Sequence, residues 1–230
     1  MSLRGRLAEH HLSHESRDTV KLALGLMGTL AGLLLGLLVS SANESFDSER
    51  EQVNALAAKI ATLDRVLSLY GAEAASARRD LRALIDGAVA QAWPTHAGAR
   101  SDLSFDPQRG EAIFRSIQAL QPSDALQSDL KARATDLAFD LIEGRSMLVA
   151  LAAGGVSVPV LTLVIAWLVL ILFGFSLLAP RNSVAVSALI ISAIAVSGAV
   201  LLLLELYRPF EGMLQISSDL LLSAIGQPVE

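Results

Sequence analysis

Charged side chains avoid two stretches of this chain almost completely, and that avoidance limits the fold more than any other feature. None occurs from Leu22 to Val39, and Arg181 is the one charge between Met147 and Leu204. The first run has 18 residues, and as a helix it rises ~27 Å, close to the ~30 Å hydrocarbon thickness of a bilayer. The second stretch is too long for one span. Gly154, Gly155 and Pro159 interrupt it, so a helix breaks there and Pro159 sits in the first turn of the next, giving a span of about Val160 to Leu178. Pro180, Arg181 and Asn182 form a tight turn, and a third span runs from Val184 to Leu204. So short a turn makes the second and third spans an antiparallel hairpin. Met147 to Val156 is either an interfacial approach or the end of the preceding helix.

A secretory signal peptide is the rival reading of the first run, because Ser40 and Ala42 resemble a small-residue cleavage site. The run exceeds the usual ~7–15 apolar residues, and about twenty residues precede it, which favours a span that stays in place.

Between the first and second spans lie Ser41 to Ser146, with 12 basic and 16 acidic side chains. The pattern there is helical. Val53, Leu56, Ile60, Leu63, Leu67 and Tyr70 advance in steps of three and four, the seam of a helix packed against others. Nothing from Val39 to Val53 breaks a helix, so the first span can continue into this seam, with Gly71 as its stop. Leu81, Leu84, Ile85, Ala88 and Val89 mark a second helix with Pro94 beyond its end. Thr95 to Ser104 reads as a loop. Asp106-Pro107 predicts an N-cap and first turn for a helix carrying Ile113, Ile117 and Leu120. Pro122-Ser123 predicts the opening of a fourth, with Leu126, Leu130, Ala134, Leu137 and Leu141 on its stripe. Phe210 to Ile225 reads as an amphipathic helix lying along the membrane or against the bundle.

The fold class that follows is all-α: a polytopic helical membrane protein with a large extramembrane helical bundle between the first and second spans. Its parts are an N-terminal segment (1–21), span 1 (22–41), the bundle (42–146), an interfacial helix with span 2 (147–179), span 3 (184–206) and a C-terminal amphipathic segment (207–230). The lipid bilayer is the first partner. With no cysteine, disulfides, thiolate metal sites and cysteine nucleophiles are excluded. A net charge of −5 gives nucleic acid no basic footprint.

Within span 1, Gly28, Gly32 and Gly36 recur every four residues, with Gly25 one turn earlier and Thr29 beside them. Such a face lets helix backbones approach closely, and packing drives association in lipid. It is read here as a contact between subunits or with a pore, against packing inside one subunit. Three spans are few to bury a whole glycine face, which favours a homo-oligomer. Glu205 ends the third apolar run. An ionisable group at membrane depth points to function, but Arg208 at i+3 offers an interfacial partner, so the two are an interfacial pair or part of an ion path. His10, His11 and His14 near Glu15 could hold a metal, although a terminal histidine cluster without further ligands is ordinarily solvated; the expectation is no metal and no cofactor. Asp64, Glu73, Asp80 and Asp86 lie on polar helix faces. No catalytic motif is present, so an enzyme is not expected.

Several strings together resemble a known family: Glu9-His10-His11-Leu12-Ser13, Lys21 to Leu38, Leu63-Asp64-Arg65-Val66-Leu67 with Tyr70-Gly71, and Arg78 with Leu81-Arg82. In the C-terminal half they are Ser157 with Pro159, Trp167, Phe173-Gly174-Phe175, Ala179-Pro180-Arg181-Asn182 and Leu203 to Gly212. The chain resembles the bacterial bestrophin-like membrane proteins, a domain of unknown function remotely related to the bestrophins, which are pentameric anion channels. The resemblance implies a multi-pass protein of the bacterial inner membrane, an oligomer and an ion as permeant. Members of that family commonly carry another apolar span before the Glu9-His10-His11 block, and Tyr207 stands where an aspartate is usual. The expected function is an oligomeric channel with span 1 near its axis; the alternative is a non-conducting scaffold or sensor whose bundle binds a partner protein. Flanking charge orients the chain little, since Arg4, Arg6, Arg17, Lys21 and Arg181 oppose Arg50, Lys131, Arg133, Arg145 and Arg208. The bestrophin analogy places the bundle in the cytoplasm.

Overall fold

The computed structural model describes residues 14–94, 101–103, 107–154, 158–180 and 182–226, and among them all regular structure is helical. The order is α1 (His14–Tyr70), a short 3-10 turn (Ala72–Ala74), α2 (Ala75–Ala92), α3 (Pro107–Gln118), α4 (Ala125–Ala153), α5 (Val158–Leu178), α6 (Ser183–Leu206) and α7 (Asp219–Ala224). Residues 1–43 with 156–206 form one compact unit, and residues 44–155 with 207–230 form a second.

The first unit carries the apolar runs. Among the described residues, three helices, α1 with its N-terminal run, α5 and α6, are long and apolar enough to cross a membrane. Leu24 and Ala31 of α1 and Val164 and Ile171 of α5 are buried here. Most other large apolar side chains of the spans are exposed, as lipid-facing surface must be. α5 and α6 pack against each other across a turn in which the Asn182 Oδ1 accepts from the Ala185 N–H at 2.8 Å. That side-chain cap satisfies one of the free donors at the start of α6.

The second unit is the extramembrane bundle. Every residue of the seam from Val53 to Tyr70 is buried. α1 and α4 run antiparallel, as three bonds along their length show: Gln52 Nε2 to the Gly144 carbonyl at 2.7 Å, Lys59 Nζ to Asp140 at 3.8 Å and Gln127 Nε2 to the Tyr70 carbonyl at 3.1 Å. α1 ends where expected, because Gly71 takes φ +118°, which side chains rarely adopt. The chain returns as α2, held to α1 by Arg78, whose Nε and Nη2 donate to both Asp64 oxygens at 2.8 Å. Such a fork is both stronger and more directional than a single ion-pair contact. Lys131 Nζ reaches the Gln118 and Leu120 carbonyls at 2.7 Å, capping the end of α3 from α4.

Three expectations change. α4 opens at Ala125 rather than at Pro122-Ser123, because Asp124 is its N-cap, accepting from the Gln127 N–H at 2.7 Å. Leu126 then points outward, 66% exposed, and the stripe begins at Leu130, which packs against the core. Of the two readings of Met147 to Val156, the structure takes the second through Ala153, where α4 ends. The C-terminal segment is helical only over Asp219–Ala224: Pro209 lacks an N–H, and Gly212 at φ +89° breaks the path. It lies against the bundle, burying Phe210, Ile216, Leu221 and Ile225 in the same core. Trp93 fixes it, donating from Nε1 to the Ile216 carbonyl at 2.6 Å and meeting the Phe210 ring edge-on at 5.2 Å. Residues 95–100 and 104–106, and with them the Asp106 cap and most of the expected loop, lie outside the described residues, as do His10 and His11 and the His14 and Glu15 side chains.

Candidate functional site

Span 1's glycines have open surroundings within this chain. Gly25, Gly32 and Gly36 are exposed and Gly28 is half-buried. A Cβ placed on any of the four would meet nothing within 4 Å outside its own helix backbone. Thr29 is exposed and its hydroxyl donates to the Gly25 carbonyl at 3.1 Å, a bond inside the helix. The close contact with the neighbouring span is made by other residues. A Cβ on Gly174 of α5 would come within 2.8 Å of Leu24 Cδ2. Gly174 is therefore the span glycine whose added side chain would have to displace Leu24, whereas the four glycines of span 1 meet no such neighbour.

Gly174 entered the sequence reading only within the Phe173-Gly174-Phe175 string, with no packing role, because it lacks the four-residue repeat that drew notice to span 1. What could have found it is the rarity of a good reason for glycine inside a span rich in leucine and valine.

Glu205 is half-buried in the last turn of α6, which ends at Leu206, and Arg208 is exposed and non-helical beyond it. Tyr207 leaves the helix and Pro209 cannot continue it.

A different carboxylate stands out. Glu49 is 6% exposed, and its Oε2 has no hydrogen-bond partner among the described residues. Burial pushes its carboxyl up from 4.5 to about 7, since the charged form loses the water that would solvate it. Its place on α1 explains the burial: Ala42, Phe46 and Glu49 precede Val53 in steps of four, three and four, so Glu49 occupies a seam position. The signal was in the sequence. Carried two turns further back, the stripe from Val53 runs straight through it.

Among the described residues, no three His, Cys, Asp or Glu side chains are grouped so as to hold a metal ion. The chemistry these places offer is close backbone contact along a span and proton exchange at one buried carboxylate. A family model described as the bestrophin-like domain matches residues 1–221. No curated protein and no solved structure gives a match.

Proposed function

This chain belongs to the bestrophin-like family, and from that premise we propose that it is an oligomeric membrane channel in which span 1 lies at the subunit contact or pore side. The observation that carries this reading is the uncovered glycine face: Gly25, Gly28, Gly32 and Gly36 have open space where a Cβ would stand. Glycine costs helix stability of ~1 kcal/mol per residue relative to alanine. Four of them on one span are best accounted for by a helix that approaches this face from another copy. Thr29 beside them is the polar group of that face, so the lining would act as a hydrophobic constriction more than as a selectivity filter.

The test is native mass measurement and chloride and potassium flux with purified protein in proteoliposomes. Expected are a single oligomeric mass and flux above empty vesicles. A monomer in both mild detergent and membranes would remove the reading. An intact oligomer without flux of either ion would replace it with the non-conducting scaffold. In a conducting oligomer, Glu205→Gln separates the two roles of that residue: altered flux or altered pH dependence assigns it to the ion path, and unchanged flux assigns it to the interface.

A further inference from the structure

Protein interiors hold few voids larger than a water molecule, yet the bundle holds a partly open cavity of about 110 Å³. Its walls come from α1, α2, α3 and α4, with Leu221 of α7 closing one side. They are aliphatic and aromatic almost throughout, so water has too few partners to fill the space, and such cavities stay dry or take an apolar guest. Among the lining residues described, Arg145 alone is charged. It sits half-buried on α4, and its Nη2 donates to the Leu103 carbonyl at 3.0 Å. Asp102 lies close enough to favour its charge. A guanidinium has five N–H donors in a planar fork suited to a carboxylate.

We propose that this cavity binds an aliphatic carboxylate, with the hydrocarbon chain among the bundle side chains and the carboxylate on Arg145. Size sets the chain. An engineered cavity of ~150 Å³ admits benzene, so about four carbons fill this one and further methylenes reach its mouth. Asp102 bears on the head group, because its negative charge competes for the same guanidinium.

Trp93 lines the cavity and makes a built-in reporter. The chain has two tryptophans, so Trp167→Phe leaves Trp93 as the only emitter. The experiment titrates that protein, in phosphatidylcholine nanodiscs, with butanoate, hexanoate, octanoate and octanol, subtracting empty nanodiscs. Saturable change in Trp93 emission is expected for the carboxylates. Affinity should rise about fourfold per added methylene at first, the gain for burying one such group, and flatten once the cavity is full. Ala138→Leu, which fills the space, should weaken octanoate binding at least tenfold. Ala138→Val, checked for native helix content and oligomer size, carries the same arm if the leucine variant misfolds. Arg145→Gln should weaken octanoate about tenfold and leave octanol unchanged, and Asp102→Asn should tighten octanoate.

No saturable change, or binding unaffected by the filling variants, would overturn the site. Octanol binding as tightly as octanoate to the unaltered cavity would overturn the carboxylate assignment. If the phosphatidylcholine bilayer itself supplies the occupant, Trp93 will not respond to octanoate in nanodiscs but will respond in an alkyl-free amphipathic polymer, which assigns the site to lipid chains and overturns the free carboxylate.

Discussion

Glu49 shows how one residue can set a pH dependence. Its folded-state pKa of about 7 lies above the ordinary 4.5, so between these values the folded chain holds a proton that the unfolded chain has released. Stability therefore falls as pH rises from about 4.5 to about 7 and is level above that. The shift corresponds to on the order of 3 kcal/mol, at ~1.4 kcal/mol per pH unit. Glu49→Gln removes the titration, so it should raise the thermal unfolding midpoint at about pH 8 and leave it near wild type at about pH 4.5. Circular dichroism of the purified protein at both values checks this, and an equal gain at both would trace the effect to packing instead of charge. Gly71 is the second telling residue. Gly71→Ala should destabilise the bundle by about 1–3 kcal/mol, the usual cost of holding a side chain at a disfavoured φ. An added Cβ would also stand 2.8 Å from Glu73 Oε2, but that side chain can swing away. Glu73→Ala in the same chain should therefore restore little, which denaturant titration of both variants would reveal.

Among the elements, legibility followed the strength of periodicity. The seam of α1 alternates threes and fours from Val53 to Tyr70 without a fault, and all six positions are buried. The hairpin spans were legible because lipid tolerates so few alternatives to an apolar helix. The misreadings came where the pattern was weak. At α4, adjacent Ser123 and Asp124 both suit a cap, and only the bond from Gln127 N–H to Asp124 chooses between them. After α6, apolar residues at helical spacing suggested a helix from Phe210, but the segment meets Trp93 as irregular chain, a tertiary contact that periodicity cannot show. Glu49 was passed over because a carboxylate looks like the end of an apolar stripe. The glycines give the test at this scale. Gly32→Leu should break subunit association while leaving the monomer folded, since nothing in its own subunit lies near the new side chain. Gly174→Leu should do the reverse and damage the fold first, because Leu24 occupies that space. Gly32→Ala should be milder than Gly32→Leu, and Leu34→Ile should have little effect. Crosslinking in membranes reports the first loss and thermal unfolding the second. A full-size oligomer in Gly32→Leu would move the contact away from the glycine face.

For the whole molecule, the number of crossings and the packing of the C-terminus bear on one question. Spans α5 and α6 separate the bundle from residues 207–230, and two crossings return a chain to the side it left. The same conclusion follows from contacts alone: Trp93 of α2 bonds the Ile216 carbonyl, and Phe210 and Ile216 share the bundle's core. Those bonds could not form across a bilayer. If α5 and α6 each cross the bilayer, the turn at Asn182 is expected on the opposite side, because a single crossing divides it from each. Basic residues flank both sides nearly equally, so the positive-inside rule orients the chain weakly, and the bundle is expected in the cytoplasm by the bestrophin analogy. The chain has no cysteine, so single replacements label without background. With a membrane-impermeant thiol reagent on intact cells, Asn182→Cys should react, while Ser123→Cys and Met213→Cys should react only after the membrane is opened. Reaction of the latter two alone in intact cells would reverse the orientation but keep the parity. Reaction of Asn182→Cys together with Ser123→Cys would break the parity, and with it the reading of α5 and α6 as two full crossings.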